Sequence, residues 1–183
     1  MGLAVLKSRA LAGMEAPEVT VEVHLANGLP TFTIVGLPDT EVRESKDRVR
    51  AALLNTGFEF PARRITVNLA PADLPKESGR FDLAIALGIL VASGQLHAND
   101  LSHYEFAGEL SLSGELRPIR AALAMTYAMY RSGSNSGIAR SFILPTANAA
   151  EAALISEAVI YPARTLLEVY THLAASQPEA RLS

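Results

Sequence analysis

The chain of 183 residues contains no cysteine and no tryptophan. The first absence excludes disulfides, thiolate zinc sites, iron–sulfur ligation and a cysteine nucleophile. Aromatic residues make up only 6%, so base-stacking positions for nucleic acid are few. Lysine is scarce as well: Lys7, Lys46 and Lys76 are the whole set, and none follows a glycine. A phosphate-cradling loop needs a glycine-rich turn ending in Gly-Lys-Ser/Thr, so a Walker-type nucleotide site is excluded, and no GxGxxG follows a strand. No apolar run approaches the roughly 18 residues of a membrane span. The longest, residues 83–92, contains Gly88 and has the length of a core helix. Nor does a basic region precede an apolar stretch in the opening MGLAVLKSRALAG, which therefore reads as no signal peptide. These features suit a cytoplasmic protein with no membrane segment. The histidines, His24, His97, His103 and His172, are scattered and form no HExxH. His97 and His103 around Asn99-Asp100 read as solvated turn residues before they read as ligands, so no metal site is assigned.

Apolar residues make up 49%, charged residues 19%, and the net charge is −3. Ordinary domains carry about 25% charged residues, so this one is rich in core and gives no whole-molecule electrostatic footprint for nucleic acid. One domain fits the length.

Residues 3–13 and 19–25 read as strands, the second by strict alternation. Asn27-Gly28 is a strong hairpin signal and predicts residues 30–35 as the returning strand, so three antiparallel strands open the chain. A helix follows from Pro38-Asp39-Thr40 to about Asn55, with Val42, Val49 and Leu53 as its apolar stripe. Asp39/Arg43, Arg43/Asp47 and Glu44/Arg48 are spaced for pairing on its outer side. Residues 64–69 form a strand, 81–93 a buried helix, 104–119 a hairpin around Ser113-Gly114, and 121–131 a helix ending in a flexible GSNSG. A strand at 141–144, a helix near 147–155, a short strand at 159–160 and a helix at 165–175 complete an α+β fold. Its sheet is mixed and mostly antiparallel, with packed helices.

The segment PKESGRFD (75–82) places Arg80 and Asp82 at the mouth of an apolar helix. It admits a ligand-binding turn using Lys76, Ser78, Arg80 and Asp82 at a helix N-terminus. It equally admits a plain cap, with Ser78 capping, Asp82 complementing the dipole and Arg80 solvated or paired. Residues 41–80 hold eight basic and six acidic residues. Arg43, Lys46, Arg50, Arg63 and Arg64 are the candidates there for contact with a phosphate backbone.

The stretch VGLPDTEVRESKDRVRAALLNTGFEFPARRITVNLAPADLPKESGRFDLAIALGIL (35–90) resembles the ComM (YifB-like) family of magnesium-chelatase-like AAA+ ATPases, and FAGELSLSGELRPI fits the same family. The resemblance covers residues 3–175. It implies a Lon-protease-like domain (1–175), the fold shared with the second domain of a small-subunit ribosomal protein. Residues 176–183 would lead to a Walker-bearing ATPase domain outside this chain, and ATP and magnesium would belong there. Aligned on the family pattern, Asp82 stands at the peptidase serine position and Leu123 at the lysine position, so both members of the dyad are missing and no catalytic residue is assigned. ATP-driven DNA branch migration by a hexamer is the implied activity of the whole protein. This domain's part in it would be DNA guidance or ring assembly through loop 71–80, with the five cations behind it. A degenerate peptidase or a small-molecule binder is the competing expectation.

Overall fold

The computed structural model describes residues 2–76 and 79–175; Ser78 and the expected linker 176–183 lie outside the described residues. Strands β1 (Gly2–Arg9), β2 (Glu18–Ala26) and β3 (Thr31–Val35) precede helix α1 (Asp39–Thr56), followed by β4 (Arg64–Ala70) and α2 (Asp82–Ala92). Alternation sends every second strand side chain to one face, and Leu6, Val19, Val21, Val23, Leu25, Ile65, Val67 and Leu69 are fully buried there.

The strand order is β1-β2-β4-β3, antiparallel except for the β3/β4 pair. This corrects the expected opening of three antiparallel strands. Asn27-Gly28 turns the chain, but β3 does not return along β2; β4 sits there instead, with Ala26 opposite Arg64. Two physical reasons account for it. Helix α1 is a crossover between β3 and its parallel neighbour β4. And β4, with all three inward side chains wholly buried, gains more from a central position than the shorter β3 would.

Helix α2 has no polar face. It packs beneath β1 and β2, and Gly88 makes this possible: a Cβ there would lie 2.4 Å from Val23 Cγ2.

Then come β5 (Tyr104–Phe106), β6 (Glu109–Leu110), β7 (Leu116–Arg117), α3 (Ala122–Ser136), β8 (Ser141–Pro145), α4 (Ala149–Ala152), β9 (Val159–Ala163) and α5 (Leu166–Ala174). The predicted 104–119 hairpin pairs only as β6/β7, whereas β5 joins an all-parallel sheet, β5-β8-β9. Among the described residues the architecture is therefore a mixed α+β arrangement of several sheets and five α-helices, not one mostly antiparallel sheet. Helix α3 also runs through the segment predicted to be flexible and stops at Gly137, whose N–H donates to Gly133 O at 2.9 Å with φ +77°. The helix expected at 147–155 shrinks to α4, preceded by a 3-10 turn at Thr146–Asn148.

The two larger sheets meet where β1 lies beside β5. Arg9 and Glu105, both buried, form a bidentate pair (Nε–Oε1 2.7 Å, Nη2–Oε2 3.0 Å). Arg140 donates to Glu105 Oε2 at 3.1 Å and also to Glu18, and Arg9 reaches Ser132 Oγ at 3.2 Å, tying the end of α3 to the same network. No helix among the described residues is long and apolar enough to cross a membrane.

Candidate functional site

Asp82 opens α2 and is 0% exposed. At about 100° per residue, α1 sends Ser45 and Arg48 from one flank toward it. Ser45 Oγ donates to Oδ1 at 2.7 Å, Arg48 Nε to Oδ2 at 2.6 Å and Arg48 Nη2 to Oδ1 at 3.3 Å. The fourth donor is Leu110 N–H of β6, 3.1 Å from Oδ2. The loop before α2 closes over this group by backbone pairing: Asp82 N to Gly79 O (2.9 Å), Gly108 N to Arg80 O (3.0 Å) and Leu83 N to Gly108 O (3.1 Å). A Cβ at Gly79 would meet Glu109 Oε1 at 2.6 Å and Arg48 Nη2 at 2.8 Å, so both side chains would have to shift to admit one.

Burial pushes the Asp82 carboxyl up to about 6, against the opposing pull of Arg48, Ser45 and the Leu110 N–H. It is thus ionised at neutral pH. Burial works to lower the Arg48 guanidinium, but the hydrogen bond and charge of Asp82, with Glu109 and Glu44, carry it above its ordinary value.

Two other side chains of the segment, Lys76 and Arg80, are buried as well. Lys76 is 3% exposed and donates to the Pro71 and Leu74 carbonyls, and burial lowers its ammonium despite the nearby Asp73. Arg80, also 3% exposed, lies with Nη1 3.1 Å from Met125 Sδ of α3. Of the two expected readings of Arg80, solvated or paired, the solvated one is thereby corrected: the side chain is buried against α3. Leu123, by contrast, is 38% exposed on α3, and its N–H donates to Glu151 Oε2 at 2.8 Å. The two positions aligned with the peptidase dyad therefore face different surroundings, one sealed behind α1 and β6, the other open to water.

The five cations do not lie together behind the loop. Arg43, Lys46 and Arg50 fall within about 60° of one another on the α1 flank opposite Ser45 and Arg48, beside β3. Lys46 Nζ stands 5.9 Å from the Phe32 ring centre and the Arg50 guanidinium 4.3 Å from that of Phe60; the two rings are 5.4 Å apart. Arg50 and Arg63 line an open groove of about 460 Å³ with Pro30, Thr31, Phe60 and Pro61. Arg63 Nη2 lies 3.4 Å from Asn27 Oδ1. Arg64 points to the opposite face of the sheet from the buried side chains of β4. Loop 71–80 leaves the far end of β4, whose seven residues span about 20 Å, so the proposed single surface divides into a loop whose Lys76 and Arg80 are buried and a separate rim of cations.

Sequence reasoning missed Ser45 and Arg48. Arg48 was assigned to Glu44, which it does approach at 3.7 Å, but its closer partner is Asp82, 34 residues away. The buried Arg9–Glu105 pair was missed too, its members lying 96 residues apart.

The described residues do not fit a nucleotide through lysine: Lys7 is held by Thr20 and Glu18, Lys46 lies over Phe32, and Lys76 is turned onto carbonyls. Among them, no three His, Asp or Glu side chains converge on a metal position.

A family model described as subunit ChlI of Mg-chelatase matches residues 21–148, and the chain belongs to that family. Within it, the chain is 53% identical over 173 residues to the competence protein ComM of Haemophilus influenzae, a match covering 94% of this chain and 33% of that protein. It is 52% identical over 157 residues to the uncharacterized protein YifB of Salmonella typhimurium (86% and 30% covered) and 36% identical over 169 residues to the uncharacterized protein Rv2897c of Mycobacterium tuberculosis (92% and 33% covered). The chain spans about a third of the length of these relatives.

Proposed function

We propose that this chain is a non-catalytic, Lon-protease-like domain (1–175) of a ComM-type AAA+ ATPase that moves DNA branch points during recombination and natural transformation. Residues 176–183 are, in this proposal, a linker to the ATPase domain, where ATP and magnesium are held. The domain serves that engine in the cytoplasm by guiding DNA and by supporting a hexameric ring of sister subunits.

The observation that carries this is the condition of Asp82. At the position that the sequence resemblance aligns with the peptidase nucleophile stands a wholly buried carboxylate, satisfied by four donors from α1 and β6. Nucleophilic catalysis needs a reactive group within reach of a base and open to substrate. Asp82 is sealed, and the neighbouring Lys76 is bound to carbonyls. This weighs against the alternatives of a degenerate peptidase or a small-molecule binder built on Lys76, Arg80 and Asp82. Relatedness to ComM supports the DNA-motor context.

The test compares this chain alone with the full-length protein on a synthetic Holliday junction. Full-length protein is expected to hydrolyse ATP and move the junction; the chain alone is expected to do neither and to leave fluorogenic casein intact. Turnover of casein by the chain, abolished in Ser78→Ala, would overturn the proposal, as would a full-length protein inert on the junction.

A further inference from the structure

Five cations among the described residues, Lys7, Arg9, Arg48, Arg140 and Arg164, form ion pairs. Arg43, Lys46, Arg50 and Arg63 do not; among the described residues none has a carboxylate within 4.0 Å. The spacing Asp39/Arg43/Asp47 leaves its pairs unclosed. In a chain of net charge −3, four such cations along one α1/β3 rim are a local feature, not a reflection of the whole. Two of them rest on aromatic rings. Phe32 is buried, so the ring that reaches the rim is the partly exposed Phe60, under the Arg50 guanidinium, and Arg63 lines the same groove.

We infer that this rim binds a single strand of DNA; the inference rests on the DNA-motor reading above and specifies the face and the form of the ligand. A guanidinium stacked on a ring keeps its in-plane N–H groups free for a phosphate and its outer face free for a base. Asp47 flanks the stripe and Glu59 precedes Phe60, so bulk potential here is weak. Affinity must come from placed phosphate contacts plus stacking. A duplex hides its base faces, and an acidic peptide has none; a single strand uses both halves of the site.

Fluorescence anisotropy of the 183-residue chain with labelled oligothymidylate tests this. Four cations predict a log–log salt slope of about −3. Arg50→Gln with Arg63→Gln is expected to flatten the slope by about 1.4 and weaken binding. Phe60→Leu is expected to weaken binding about tenfold with the slope unchanged. Its thermal unfolding is measured alongside, and the arginine pair carries the test should Phe60→Leu misfold. Arg131→Gln, on α3, should change nothing. Absence of binding at about 50 mM salt, duplex or polyglutamate binding as tightly as the single strand, or Arg131→Gln weakening binding as much as Arg50→Gln would each overturn the inference. Loss of the rim with junction movement intact removes this face alone, whereas full-length protein inert on the junction removes the motor reading.

Discussion

Asp82 sets the chemistry of the molecule at the scale of single side chains. Its carboxyl titrates near 6 when folded, against an ordinary value of 3.8. The native state therefore binds this proton first as pH falls. The corresponding stability is fully present below the unfolded value and is lost as pH rises through about 6. About two units correspond to about 3 kcal/mol. Relative to Asp82→Asn, the natural chain should accordingly gain about 2 kcal/mol between about pH 7.5 and pH 4.5, with the rest gained only below the unfolded value, read from urea midpoints; equal slopes for the two proteins would refute the assignment. Arg48→Met, which strands the carboxylate, should cost about 3–5 kcal/mol near neutrality and less below pH 6, where the carboxyl protonates. Asp82 was legible in the sequence as a charge at the mouth of an apolar helix. Its partner was not, because Glu44/Arg48 spacing is visible along one helix and a contact across 34 residues is not.

For helices and strands, local pattern decided type well and pairing poorly. The alternation of 19–25 and 64–69 marks real strands, and Gly57 does end α1, with φ +101°. Asn27-Gly28 misled because a turn dictates reversal, not the neighbour that follows. Low helix propensity in GSNSG misled in the other direction: Met129 is buried and Ser132 is held by Arg9, and tertiary contact outweighs propensities of about 1 kcal/mol per glycine. Close packing gives a sharper prediction at α2. Gly88→Ala places a methyl 2.4 Å from Val23 Cγ2 and should cost about 1–3 kcal/mol, seen as a lowered melting temperature. An unchanged melting point would mean that α2 and β2 are not in contact.

At the scale of the whole molecule, the two larger sheets of the described residues are joined by side chains at β1 and β5 rather than by a continuous ladder. Glu105 neutralises Arg9 and Arg140 there, so Glu105→Gln should destabilise by about 3–5 kcal/mol. It should also raise amide exchange in β8 and β9 before β2 and β4; uniform exchange would contradict a separable second sheet. Family likeness was legible across most of the chain, whereas the order of its strands was not, because order depends on which edge each buried strand captures. That order has a consequence for synthesis. A nascent chain that has left the ribosome only as far as α1 offers β2 with one side bare and β3 with nothing to lie on. Both wait for the same later segment. Until residues 64–70 emerge, the growing polypeptide carries an open strand edge of the kind that invites adhesion to other chains.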